Sequence, residues 1–205
     1  MNLKETLQRM RDGRVYYCNS EELMQKQLEC MENIYDYNAT RPSEQEKRAS
    51  LLKKIFAEIG EDGYVEPPLR ANWGINTHIG NHFYSNFNLT LVDDTDIYIG
   101  DNVLIGPNVV LATANHPVRP DIRRKAAQYN LSIHIGNNVW LGAGVIVVPG
   151  VNIGDNTVVG AGSIVTKDLP ADCVAFGNPC RVHRKISERD MIFYYKDRKI
   201  DIENL

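Results

Sequence analysis

Between Ile135 and Leu169 the chain repeats one six-residue pattern six times over, with an aliphatic residue first and a small or branched residue in the fifth place. The hexads begin at Ile135, Leu141, Val147, Ile153, Val159 and Val165. Glycine follows the first residue at 136, 142, 154 and 160, with Val148 and Thr166 as exceptions. Ile79-Gly80, Ile99-Gly100 and Ile105-Gly106 open similar units upstream. A period of six is neither helical nor that of a simple alternating strand. It suits short strands joined by tight corners, about three hexads to a triangular turn of about 18 residues, with turns stacked at about 4.8 Å. The expected fold is therefore mainly β, a parallel β-helix of hexapeptide repeats.

The first 62 residues lack the period and read as a helical segment. Ser20 is placed to cap a helix whose apolar face would be Leu23, Leu28, Met31, Ile34 and Tyr35. Ser43 and Glu46 form a capping-box pattern for a second helix. That helix would turn Leu51, Leu52, Ile55, Phe56 and Ile59 inward and stop at Gly60. The β-helix is expected over residues 63–185 and a charged tail over 186–205. Two features interrupt the repeats: a two-residue slip near Ile97-Tyr98 and a polar loop over residues 117–128.

Alternation along each short strand turns the first and fifth places inward and the second and sixth outward. His116 and Trp140 occupy sixth places and Asn86 and Thr166 second places, so all four should lie outside the prism. An outward Trp on a flat wall needs a cover, either a ligand or a neighbouring subunit, and flat walls favour symmetric self-association.

The formal net charge of −3 offers no basic field for nucleic acid, although basic residues gather locally at Arg119–Lys125 and Arg181–Lys185. No apolar run approaches a membrane span, and the polar start Met1-Asn2-Leu3-Lys4-Glu5 has no signal-peptide core. Cys18, Cys30, Cys173 and Cys180 show no Cys-x-x-Cys spacing, so reduced thiols and a cytoplasmic location are expected.

His116 is the residue best suited to proton transfer. It stands in Asn115-His116-Pro117, at the root of the long loop, where a rigid scaffold presents functional groups. The plainer reading makes it a turn residue bonded to its own loop. His78, His82, His134 and His183 read as surface or structural residues.

Several segments occur in a telling order: Val65-Glu66-Pro67-Pro68, Phe83-Tyr84-Ser85-Asn86-Phe87-Asn88, Val92-Asp93-Asp94, Asn115-His116-Pro117, Ile135-Gly136-Asn137-Asn138-Val139-Trp140, Val165-Thr166-Lys167-Asp168 and Gly177-Asn178-Pro179-Cys180-Arg181. Together they resemble the galactoside and maltose O-acetyltransferases, sugar acetyltransferases of the hexapeptide-repeat class. The tail Phe193-Tyr194-Tyr195-Lys196-Asp197 is more similar to the galactoside branch.

The resemblance implies a left-handed coil and a homotrimer with active sites in the clefts between subunits. It implies acetyl-CoA as co-substrate, no metal, and a sugar acceptor such as a galactoside, glucoside or maltose. His116 would be the general base. The backbone N–H of Ala143 would steady the oxyanion, with Asn86 assisting at the reacting centre. Asn72, Asn86 and Asp94 would meet the acceptor. Ala161 and Thr166 would contact the pantetheine arm, and Lys167, Arg181 and Arg184 the nucleotide phosphates.

Four departures stand out. The galactoside enzymes carry aspartate and serine where this chain has Cys18 and Asn72. They carry serine at Ala143, where the main-chain donor survives. Many relatives have a glutamate on the returning arm of the loop, here Ala126-Ala127-Gln128, which leaves the orientation of His116 to another group such as a backbone carbonyl.

Competing readings are an acetyltransferase of another hydroxyl compound of the antibiotic type, a zinc carbonic anhydrase and a non-catalytic scaffold. The zinc enzyme could use His82 and His116 but lacks a third histidine past His116, with Asp121 nearby instead.

Overall fold

A computed structural model describes residues 2–202 of the chain. Met1 and the last three residues of the expected tail lie outside them. Three parallel sheets form the walls of a prism. One contains Glu58–Ile59, Thr77–Ile79, Ile97–Ile99, Ile133–Ile135 and Asn152–Ile153. The second runs through Tyr64–Val65, Tyr84–Ser85, Leu104–Ile105, Trp140–Leu141 and Val158–Val159 to Cys173–Phe176, with Arg181–Lys185 added antiparallel at its end. The third contains Leu69–Ala71, Leu89–Val92, Val110–Ala112, Ile146–Val147 and Ile164–Val165. The first and fifth places fill the interior, where Val139, Leu141, Val145, Val147, Val159 and Val165 have no exposed surface. Trp140, by contrast, is 52% exposed.

The register departs from a uniform 18. Stacked partners are 20 residues apart from Asn81 to Asp101, 36 from Asp101 to Asn137, 18 from Asn137 to Asp155 and 16 from Asn156 to Asp172. The step of 36 spans the turn that carries the long loop. The two extra residues of the longer turns fall at one corner, between the third and first sheets, at Asn72–Asn76 and again at Asp93–Asp96. The slip near Ile97 is the second of these. The long loop leaves from the same corner one turn further on.

The helices correct several expectations. They are α1 (Leu3–Arg11), α2 (Glu21–Asn38) and α3 (Gln45–Ile55). Ser20 does cap α2, accepting the Leu23 N–H at 3.2 Å. The buried face of α2 is Leu23, Cys30, Ile34 and Tyr37, while Leu28, Met31 and Tyr35 are exposed. Positions 23, 30, 34 and 37 follow the helical period more closely, and the coil takes that face. No box forms at Ser43: α3 starts after Glu44, whose carboxylate accepts the Arg41 N–H at 2.6 Å. The helix stops at Ile55 rather than Gly60, because Phe56 is extended and Glu58–Ile59 pairs with Thr77–Ile79. The coil thus starts ahead of residue 63.

Asn38, at the end of α2, joins helix to coil. Its side chain accepts the Leu69 N–H at 2.8 Å and donates to the Leu69 carbonyl at 2.9 Å, acting as one residue of a strand. A short helix, α4 (Pro120–Arg123), lies in the long loop, and α5 (Glu188–Ile192) precedes a hairpin of Phe193–Tyr195 with Arg198–Lys199. Among the described residues no helix is long and apolar enough to cross a membrane.

Candidate active site

The stacked irregular corners organise the site. Asp93 is fully buried, and one carboxylate oxygen accepts the N–H groups of Asn72 at 3.0 Å and Trp73 at 2.8 Å. Its other oxygen accepts the Thr77 hydroxyl at 3.0 Å. Burial pushes the Asp93 carboxyl up to about 7, against the pull of these donors. Asp94, beside it, accepts from Asn72 Nδ2 at 2.9 Å and Trp73 Nε1 at 3.3 Å. Both corners are thereby locked, and the Asp94 carboxylate keeps lone pairs for a further donor.

The long loop returns as a strand. Ala114–Asn115 pairs antiparallel with Ala127–Asn130, whose other edge pairs with Tyr16–Tyr17 near the start of the chain. This small sheet carries the Ala127 carbonyl to His116, where Nδ1 lies 2.7 Å from the oxygen. A carbonyl only accepts, so Nδ1 holds the hydrogen and Nε2 keeps a free lone pair. The group that orients the histidine is therefore main-chain. Gln128 does not reach the ring. It is buried and donates from Nε2 to the Tyr16 hydroxyl at 2.6 Å and to Asn130 Oδ1 at 3.1 Å. Asn130 Nδ2 in turn donates to the Asp94 carbonyl at 3.0 Å, joining the loop to the irregular corner.

A cavity of about 570 Å³ lies along the wall of His78, Tyr98 and His134, but the one that holds His116 is elsewhere and measures about 430 Å³. His116, Asn72, Trp73 and Asp94 line it, with Tyr16, Cys18, Leu23, Gln27 and Gln128 from the N-terminal segment and the returning strand. The Cys18 thiol donates to the Ala126 carbonyl at 3.4 Å, and burial pushes it up.

The other expected residues lie elsewhere on the chain. Asn86 is half-buried, and its Oδ1 accepts the Phe87 N–H at 2.8 Å. Phe87 stacks above Pro107, Ala143 and Ala161 in one column of corners. The neighbouring column is sealed by a ladder in which Asn81, Asp101, Asn137 and Asp155 accept the N–H of the residue one turn before. Alanine has no oxygen with which to extend such a ladder. Ala143 and Ala161 are exposed, and their N–H groups have no acceptor among the described residues. Close stacking requires glycine beside them, since a Cβ on Gly142 would stand 2.6 Å from the Ala161 nitrogen.

Thr166 and Lys167 are exposed, as is Arg181, which donates to the Cys180 carbonyl at 2.7 Å. Arg184 is held by Asp190 through two bonds of 2.7 Å, which keep the Asp190 carboxyl well below the usual range. None of Asn86, Ala143, Ala161, Thr166, Lys167, Arg181 and Arg184 lines the His116 cavity. His82 is a corner residue in the left-handed region at φ 54, facing Asp62. Within one chain, and among the described residues, no three His, Cys, Asp or Glu side chains converge as a metal site.

Tyr16, Trp73, Asp93, Gln128 and Asn130 escape the sequence reading, as does Gln27. Tyr16 and Asn130 are 114 residues apart, and no local spacing announces their contact. Asp93 had a signal, as the companion of Asp94 in an irregular corner.

Known proteins resemble the chain throughout. The family model of the maltose acetyltransferase hexapeptide capping motif matches residues 9–60, and that of the bacterial transferase hexapeptide (six repeats) matches residues 132–167. The galactoside O-acetyltransferase of Lactococcus lactis subsp. lactis (strain IL1403) is 50% identical over 200 residues, covering 97% of both chains. That of Escherichia coli (strain K12) is 51% identical over 201 residues, covering 98% of both. A solved galactoside acetyltransferase in complex with coenzyme A is 50% identical and superimposes with a TM-score of 0.93, covering 98% of this chain and 100% of that one. A maltose O-acetyltransferase from Clostridium difficile 630 is 42% identical with a TM-score of 0.87, covering 89% and 97%.

Proposed function

The chain belongs to the galactoside and maltose O-acetyltransferase family, and from that premise we propose that it moves an acetyl group from acetyl-CoA to a hydroxyl of a sugar such as a galactoside, glucoside or maltose. The observation that carries the mechanism is the 2.7 Å contact of His116 Nδ1 with the Ala127 carbonyl, because it leaves Nε2 as a base on the cavity wall. His116 takes the proton of the sugar hydroxyl as that oxygen attacks the thioester carbon. The C–S bond breaks, and the imidazolium returns its proton to the departing thiolate. No acyl-enzyme is required, and holding two substrates together supplies much of the rate.

Ala143 donates its unclaimed N–H to the oxygen that gains charge, and Asn86 assists from the same wall. Ala161 and Thr166 receive the pantetheine arm, while the exposed cations Lys167, Arg181 and Arg184 serve the nucleotide phosphates. Asn72 and Asp94 receive the acceptor. The base and the cofactor residues do not share a cavity within one chain, and Trp140, Tyr84 and Leu104 leave an apolar stripe exposed beside Ala143. Both facts support a homotrimer in which each site is completed across a seam. All four cysteines are free, which supports a cytoplasmic enzyme.

The test is a thiol-release screen with acetyl-CoA against galactosides, glucosides, maltose and aminoglycosides. Turnover with a glycoside supports the reading, and turnover confined to aminoglycosides contradicts it.

A further inference from the structure

Five of the residues around the His116 cavity come from the N-terminal segment: Met10, Tyr16, Cys18, Leu23 and Gln27. The helical segment is thus one wall of the acceptor site. Its polar groups are not equally free. The Tyr16 hydroxyl is committed to Gln128 and Asn130. The Cys18 thiol is turned to the Ala126 carbonyl. Gln27 differs: it is half-buried on the cavity wall, and its carboxamide has no partner among the described residues. A free carboxamide offers both a donor and an acceptor, the pair that a hydroxyl group satisfies.

The helix also holds Gln27 firmly. Ser20 caps α2, and Leu23, one turn before Gln27 on the same face, is buried together with Met10, Tyr16 and Trp73. A recognition group on a packed helix is better placed than one on a loop.

We propose that Gln27 is a specificity-determining residue that reads a non-reacting hydroxyl of the sugar acceptor, so that the helical segment selects the acceptor while the coil supplies the chemistry. The inference rests on the sugar acetyltransferase reading above. Because the site is built to bond a hydroxyl, it discriminates against the analogue that lacks it.

The experiment compares wild type, Gln27→Met and Gln27→Glu on a methyl glycoside that the wild type acetylates and on its single-deoxy analogues, by initial rates of thiol release. Wild type should lose about tenfold or more in kcat/KM at one non-reacting position. Gln27→Met should fall by about the same factor on the parent glycoside and be unchanged on that deoxy analogue, with KM for acetyl-CoA unaltered. Gln27→Glu, which still accepts a hydrogen bond, should keep the discrimination. A Gln27→Met enzyme that is unaffected on the parent, or that falls equally on every analogue, overturns the inference and leaves the reaction class standing. A wild type inactive on every glycoside overturns the acceptor class, and this inference with it.

Discussion

His116 and Ala127 are 11 residues apart in sequence, yet the ring Nδ1 of the first meets the carbonyl oxygen of the second at 2.7 Å across a strand pair. The contact fixes the tautomer without a carboxylate, so the histidine proposed as base is oriented by main chain that side-chain substitution cannot remove directly.

The support behind that carbonyl can be removed. Tyr16→Phe leaves the buried amides of Gln128 and Asn130 short of a partner, which costs about 1–3 kcal/mol. Urea unfolding should show a lower midpoint. Turnover should fall as the strand carrying Ala127 loosens, with KM for acetyl-CoA steady. An unchanged midpoint would count against the network.

Asp93 makes stability depend on pH. Its folded carboxyl titrates at about 7, above the ordinary carboxylate value, so the folded state holds a proton that the unfolded state has released. Its contribution is complete at about pH 4 and is lost as pH rises through about 7. Asp93→Asn copies the neutral form: Oδ1 still accepts the two N–H groups and Nδ2 can donate to the Thr77 hydroxyl. Thermal midpoints between pH 4 and 8 should therefore decline more steeply in wild type than in the variant. Parallel profiles would refute the assignment.

Ala143 can be tested by subtraction of its N–H. Pro107 occupies the stacked corner one turn earlier, so the corner geometry accepts proline. Ala143→Pro should fold, keep its KM for acetyl-CoA and lose about 10²–10³ in kcat, as removal of an oxyanion donor does. Ala143→Ser should retain activity. Equal turnover in both variants would exclude Ala143 as the donor.

At the proposed nucleotide end, Lys167 has no side-chain partner among the described residues, whereas Arg184 is shared with Asp190. Lys167→Ala should raise the KM for acetyl-CoA with kcat nearly unchanged. Asp190→Asn should lower that KM by freeing Arg184. Steady-state kinetics at two salt concentrations checks both, and no change in either variant removes these cations from the nucleotide site.

What the sequence makes legible follows the reach of each signal. The six-residue period predicts the sheets, the buried column and the outward Trp140, because each depends on neighbours at fixed spacing. His116 is legible as a polar residue where the period breaks, whereas Asp94 is legible only through the resemblance to the sugar acetyltransferases. The buried face of α2 is misread, because Leu28 and Cys30 both fit a rough stripe and only the coil decides between them. The capping box at Ser43 fails because Glu44 takes the cap position instead. Tyr16, Gln128 and Asn130 are invisible beforehand, since their contacts join distant parts of the chain. Gln27 reads as one more polar residue on a helix until the cavity beneath it is known.

Removal of the acceptor proton by His116 is checked by a thiol-release assay of His116→Ala, run alongside calorimetric binding of acetyl-CoA. Affinity for acetyl-CoA should stay within about twofold of wild type while turnover falls by about 10²–10⁴. Turnover near that of wild type, with acetyl-CoA still bound, would contradict it.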